Sequence, residues 1–217
     1  DSTERVQMVS ETVTNELEPV DLKLRKVNKK GESVAAQFNV SYYIYNYRAG
    51  GGSYIWAGGK TIETTKDKNV CSLKDLIRDI NTTISSDPFY ATDEYVKIRF
   101  TETKTEDPYL LNNDTLELHY WPDSGKVLIG SPAMYYTFDE KTLTLTCQNN
   151  LIPISITLKK ENQAGSPIKG AIFSIKPNKT LEGVSDNEII VDMTEVSEKA
   201  VSLPWADSYT ITEIKTP

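Results

Sequence analysis

The chain has 217 residues, with 24 Lys and Arg against 31 Asp and Glu, for a formal charge of −7 at pH 7. That balance argues against nucleic acid and against an anionic membrane surface as partners, and no apolar run is long enough to insert into a bilayer. Two cysteines, Cys71 and Cys147, and one histidine, His119, supply neither a disulfide framework nor a zinc-ligand set. Free thiols are the simpler reading of the cysteines, and one disulfide between them is the alternative. No metal or cofactor is expected.

Thr, Ser, Asn and Tyr are spread throughout, as in all-β sandwiches with many solvent-facing strand positions. Residues 1–17 carry an alternating run, ETVTN, that ends at Asn15 and reads as the last strand of a preceding domain or as an N-terminal tail. A first domain follows over 18–150. Its strands are expected at Leu22–Asn28, after which Lys29–Gly31 turns, and at Phe38–Tyr47, which is β-branched and aromatic. Glycines at 50–52 and 58–59 flank SYIWA, which reads as a hairpin tip or short strand.

Cys71–Ile80 breaks the β pattern. Leu73, Leu76, Ile77 and Ile80 recur at helical spacing behind a candidate cap, Ser72. Alternation resumes at Glu94–Thr103. Two hairpins follow, Leu116–Tyr120 with Lys126–Ile129, and Met134–Phe138 with Leu143–Asn149. A second domain over 151–217 has strands at Ile154–Lys160, Ala171–Ile175, Glu188–Met193, Lys199–Leu203 and Ser208–Ile214, and lacks a final strand.

One junction occurs twice. DLKLRKVNKKG and ISITLKKENQAG both place a lysine, Lys26 and Lys160, in phase with the apolar residues of a strand. Side chains alternate across a strand, so each lysine is aimed inward. A lysine aimed at a core is costly unless it is neutral, paired or chemically used. Eleven residues before each lysine stands an asparagine that closes another alternating run, Asn15 and Asn149, and a proline lies between. Such a repeat marks tandem β-domains.

The residues around Lys160 resemble a known family. ITLKKENQAGSPIKGAIFSI, followed by SYTITEIKTP, closely resembles the Cna protein B-type (SpaA-like, prealbumin-like) domains of Gram-positive surface adhesins and pilins. Gly170, Ala171 and Phe173 match the family's GA-x-F element, and Tyr209, Ile211, Glu213 and Pro217 match its E-box. The stretch IRFTETKTEDPY resembles a divergent E-box with Glu102 in the glutamate position. It has two added residues before its proline, and Ala35, Ala36 and Gln37 stand where Gly-Ala is usual.

The resemblance implies tandem Ig-like β-sandwiches and an autocatalytic isopeptide bond. The lysine of the first strand would attack the carboxamide of an asparagine ending the last strand, with a glutamate beside both. In the first domain these are Lys26, Glu102 and Asn149. In the second they are Lys160 and Glu213, the asparagine lying beyond Pro217. Asn15 would serve a lysine of an upstream domain. Burial favours the neutral amine and the protonated carboxyl, which can then hydrogen-bond the amide oxygen and shuttle protons.

The implied function is a stalk or backbone segment of an extracellular adhesin or pilus, anchored to the Gram-positive cell wall through a region outside this chain, with other pilin or adhesin subunits as partners and no external substrate turned over. The alternative is a ligand-binding adhesin domain that takes a glycan or host matrix protein on the aromatic insertion, through Tyr54 and Trp56 in particular.

Overall fold

The computed structural model describes residues 19–49, 51–181 and 183–217. Asn15 and the alternating run that it closes lie outside the described residues. Among the described residues the fold is all-β with one helix, and its strands enclose two hydrophobic cores.

Ten elements surround the first core: β1 (Lys23–Asn28), β2 (Ala36–Asn46), β3 (Ser53–Thr64), β4 (Val70–Ser72), α1 (Lys74–Ser86), β5 (Val96–Thr105), β6 (Thr115–Trp121), β7 (Lys126–Ser131), β8 (Tyr136–Asp139) and β9 (Thr144–Asn149). They form one sheet in the order β4-β1-β9-β8 and another in the order β3-β2-β5-β6-β7. Alternate residues of each sheet, such as Leu24 and Leu145 from one and Phe38, Val40, Ile98 and Phe100 from the other, meet in a fully buried cluster.

β1 and β9, at opposite ends of this stretch of chain, pair in parallel from Lys23 opposite Thr144 to Asn28 opposite Asn149. A parallel pair needs a long crossover, and most of the intervening chain is wound through it. First and last strands are therefore neighbours in the middle of a sheet.

The helix differs from its expected limits. Cys71 and Ser72 pair with β1 as part of β4, and the helix begins after Leu73, which has no side-chain cap. It continues past Ile80 to Ser86. Ile84 extends the buried stripe, while the hydroxyls of Thr82, Thr83 and Ser85 bond to carbonyls one turn back. Those polar residues hid the last turn.

SYIWA is not a hairpin tip but the start of the twelve-residue β3, which runs through both Gly58 and Gly59. A Cβ on Gly58 would fall 2.4 Å from the Tyr42 hydroxyl, and one on Gly59 would fall 2.7 Å from the Val40 carbonyl oxygen. Here the glycines mark close approach within a sheet, at a bulge, rather than turns.

Around the second core lie β10 (Ile154–Lys159), β11 (Ala171–Thr180), β12 (Ile189–Met193), β13 (Glu198–Leu203) and β14 (Ala206–Lys215). β10 pairs with β13, and β11 sits between β12 and β14. β11 runs five residues beyond its expected end, through Pro177. β12 has ended by then, so Pro177 has only Tyr209 of β14 as a neighbour, and its missing N–H interrupts no second ladder. Ile175, Val191, Met193 and Leu203 form the buried cluster.

Candidate functional site

The parallel register sets the geometry of the first site. Lys26 lies opposite Cys147, so Asn149 is two residues further along the same inward face. Diagonal neighbours of this kind are within reach of long side chains. Glu102 enters from β5 in the facing sheet. A bulge between Gln37 and Phe38 pairs Phe38 with Glu102 but Gln37 with Lys104.

Lys26 Nζ lies 3.0 Å from Glu102 Oε1, and neither side chain has any exposed surface. Asn149 donates from Nδ2 to both Glu102 oxygens, at 3.0 and 2.9 Å, and to Thr105 Oγ1 at 3.0 Å. The backbone N–H of Asn112 donates to Glu102 Oε2 at 2.8 Å. Lys26 Nζ also donates to Cys147 Sγ at 3.3 Å.

Burial pushes the Cys147 thiol up, and the nearby Lys26 charge offsets part of that rise. Both cysteines are free thiols, separated by β1.

The amide is oriented differently from the expectation. The nitrogen of Asn149, not its oxygen, faces Glu102. A carboxylate accepts hydrogen bonds, the amide nitrogen carries the donors, and Thr105 takes up the remaining N–H capacity. One carboxyl thus bridges an amine and the nitrogen that an acyl transfer to that amine would expel. The arrangement holds both groups against one carboxyl that can pass a proton between them.

Thr105 and Asn112 carried no sequence signal. In uninterrupted alternation Thr105 would face away from Glu102, and the contribution of Asn112 is a backbone group.

In the second site Lys160 Nζ lies 2.8 Å from Glu213 Oε2, with the two side chains 23% and 24% exposed. Neither reaches an asparagine among the described residues. Glu213 Oε1 is buried and has no hydrogen-bond partner there. The inward aim expected for Lys160 is only partly realised, because β10 alternates between half-buried and exposed.

Tyr54 and Trp56 lie on the face of the five-stranded sheet that points away from the core. Trp56 pairs with Tyr43 and is 65% exposed. Tyr54 pairs with Tyr45, their ring centroids 5.3 Å apart, and stacks towards Tyr95 at 5.2 Å. Tyr95 in turn stacks on His119 at 3.8 Å and approaches Trp121 at 5.4 Å. Lys97 lies over Tyr54 and Arg99 over Tyr43. Tyr42 alone of the β2 tyrosines turns into the core. Tyr95, His119 and Trp121 come from segments distant in sequence, so the aromatic insertion showed only part of this surface. No helix among the described residues is long and apolar enough to cross a membrane.

No family model matches this sequence, and no curated protein matches it. Solved structures do. The Bacillus anthracis TIE protein matches 92% of this chain with 29% of its own, at 16% identity and a TM-score of 0.50. The C-terminal fragment of pilus adhesin SpaC from Lactobacillus rhamnosus GG matches 92% of this chain with 76% of its own, at 16% identity and a TM-score of 0.39. The major pilin protein T3.2 from Streptococcus pyogenes matches 93% of this chain with 79% of its own, at 12% identity and a TM-score of 0.30.

The chain thus spans less than a third of the length of the TIE protein. The likeness is one of fold alone.

Proposed function

We propose that this chain is a load-bearing segment of a Gram-positive surface adhesin or pilus, in which Lys26 and Asn149 are joined by an autocatalytic isopeptide bond. The observation that carries the reading is the buried set Lys26, Glu102 and Asn149, with one carboxyl in contact with both prospective reactants. A buried ion pair with no other use is a poor source of stability, and here the pair abuts a carboxamide.

Proton transfer from Lys26 to Glu102 leaves a neutral amine. Its lone pair attacks Cγ of Asn149, forming the N–C bond and placing negative charge on Oδ1. Glu102 gives its proton to Nδ2 and takes one from Nζ. The C–O double bond re-forms, the Cγ–Nδ2 bond breaks, and ammonia leaves. Lys26 ammonium, Asn149 carboxamide and the Glu102 carboxylate thus give a secondary amide, ammonia and a protonated Glu102, and transfer of that proton to the departing ammonia, which leaves as ammonium, returns Glu102 to its starting carboxylate.

The bond would tie β1 to β9, the first and last strands around this core. Tension applied at the chain ends would then pass through a covalent link rather than the hydrogen-bonded core. The two domains, 18–150 and 151–217, are proposed as successive units of such a stalk. Lys160 with Glu213 is the counterpart pair in the second, where an asparagine is still required.

The test is the intact mass of the denatured protein. A deficit of one ammonia, with a tryptic cross-linked peptide containing Lys26 and Asn149, is the expected result. An unmodified mass overturns the reading.

A second reading, a ligand-binding adhesin surface, is favoured by the outward aromatic face of Tyr43, Tyr45, Tyr54, Trp56, Tyr95 and Trp121. Rigid exposed aromatics suit a glycan or an extended matrix-protein segment. Glycan-array binding that Trp56→Ala abolishes would support it.

A further inference from the structure

The bulge in β5 brings to the site a residue that the three-residue scheme does not use. Phe38 pairs with Glu102 and Gln37 with Lys104, so Thr103 is the extra residue and the alternation shifts phase there. Glu102 points inward, Thr103 and Lys104 are exposed, and Thr105 is half-buried beside Asn149. In an unbroken strand, residues three apart face opposite sides. Here Glu102 and Thr105 both hold the same nitrogen, with Nδ2 at 2.9 Å from Glu102 Oε2 and at 3.0 Å from Thr105 Oγ1.

We propose that Thr105 is a positioning residue for the departing nitrogen of Asn149, delivered to it by the bulge at Thr103. The proposal rests on the isopeptide reading and names a further participant in that reaction. Asn149 Nδ2 has two hydrogens. Glu102 receives one and Thr105 the other, which stops the carboxamide from turning about its Cβ–Cγ bond.

That constraint matters most after attack. Nδ2 then becomes a pyramidal amine with a new lone pair, and it must take up a proton before the C–N bond can break. With one N–H still held by Thr105 Oγ1, the lone pair turns towards the protonated Glu102, which donates to it. Without the hydroxyl the nitrogen has an additional orientation in which the lone pair misses Glu102, and the intermediate reverts by expelling Lys26. Thr105 exchanges no proton and forms no bond.

The experiment follows bond formation in time. The 217-residue chain is made in a short cell-free synthesis pulse and quenched in acid at intervals, and the fraction short by one ammonia is read by mass. Wild type is compared with Thr105→Val, which keeps the shape and removes the hydroxyl, and with Thr105→Ser, which keeps the hydroxyl. The same Thr105 substitutions in a Lys26→Ala background, where no bond can form, report their effect on folding by thermal unfolding.

The expected result is bond formation slowed at least about tenfold in Thr105→Val and restored in Thr105→Ser, with matched thermal midpoints in the Lys26→Ala background. Wild-type kinetics in Thr105→Val overturn the role of Thr105 while leaving the isopeptide reading intact. Equal slowing in both variants, or slowing that follows a lowered midpoint, shows a packing role and also overturns it. A wild-type chain that never loses ammonia overturns the underlying reading instead.

Discussion

Lys26 Nζ and Glu102 Oε1 lie 3.0 Å apart with both side chains fully buried. Two opposite charges removed from water in this way are held by each other and by the groups around them, so deleting either exposes the cost of burying the other.

Glu102→Ala is therefore expected to act twice. The mass returns to the unmodified value, because no group remains to move protons between Lys26 and Asn149. Stability also falls beyond the loss of the cross-link, since Lys26 is left buried without its carboxylate. Breaking a buried pair costs about 3–5 kcal/mol. Urea unfolding of Glu102→Ala against Asn149→Ala, which also lacks a cross-link but keeps the Lys26–Glu102 pair, separates the two effects.

Removing the bond alone has a calculable scale. A cross-link between residues 26 and 149 closes a loop of about 120 residues, for which the chain-entropy relation gives about 4.9 kcal/mol. Asn149→Ala is expected to lower the urea midpoint by at least that equivalent. It should also remove the unfolding resistance that a reducing agent leaves untouched in the wild type. Unchanged unfolding would show that the wild type carries no such link.

The glycines of β3 give a prediction about packing. A Cβ at Gly59 would sit 2.7 Å from the carbonyl oxygen of Val40, a backbone atom that cannot swing away. Gly59→Ala is expected to destabilise the fold by about 1–3 kcal/mol through forced backbone displacement. Gly51 has open space around it but a φ of +90°, so Gly51→Ala strains only its own turn. Thermal melts of the two variants compare a sheet constraint with a turn constraint.

The outward face carries a pH dependence. Burial pushes the Glu117 carboxyl up, but hydrogen bonds from Arg99 and His119 outweigh that and hold it below its ordinary value of 4.5. A carboxylate held low in the folded state contributes stability that is fully present above its unfolded value. That contribution is lost as pH falls through the folded one. Glu117→Gln is therefore expected to lower stability at neutral pH and to flatten its decline below the ordinary glutamate range. Denaturant midpoints measured from neutral to acid pH would show it, and an unchanged acid limb would count against the pairing.

Much of this architecture was legible in the chain. Alternation located β1, β5 and β9, because a sheet with one buried face leaves a period of two in its sequence, while β-branched and aromatic composition located β2 and a turn signal located β6 with β7. The phase of that alternation placed Lys26 and Asn149 inward, and burial agrees. The helix was visible from Leu73, Leu76, Ile77 and Ile80, and its last turn was not, since Thr82, Thr83 and Ser85 read as loop residues. Gly58 and Gly59 misled because a glycine required by a neighbouring strand looks the same in sequence as one required by a turn.

What the sequence determined by itself was the all-β class, the inward Lys26 and the asparagine that closes β9. These follow from local periodicity, which each strand carries within its own residues. Tertiary structure alone decided the parallel pairing of β1 with β9, the nitrogen-first orientation of Asn149 and the arrival of Thr105 and Asn112 at Glu102. It also assembled Tyr95, His119 and Trp121 with Tyr54. The physical reason is common to all of these: each depends on register between strands far apart in the chain, and a single bulge is enough to reverse which face a residue presents.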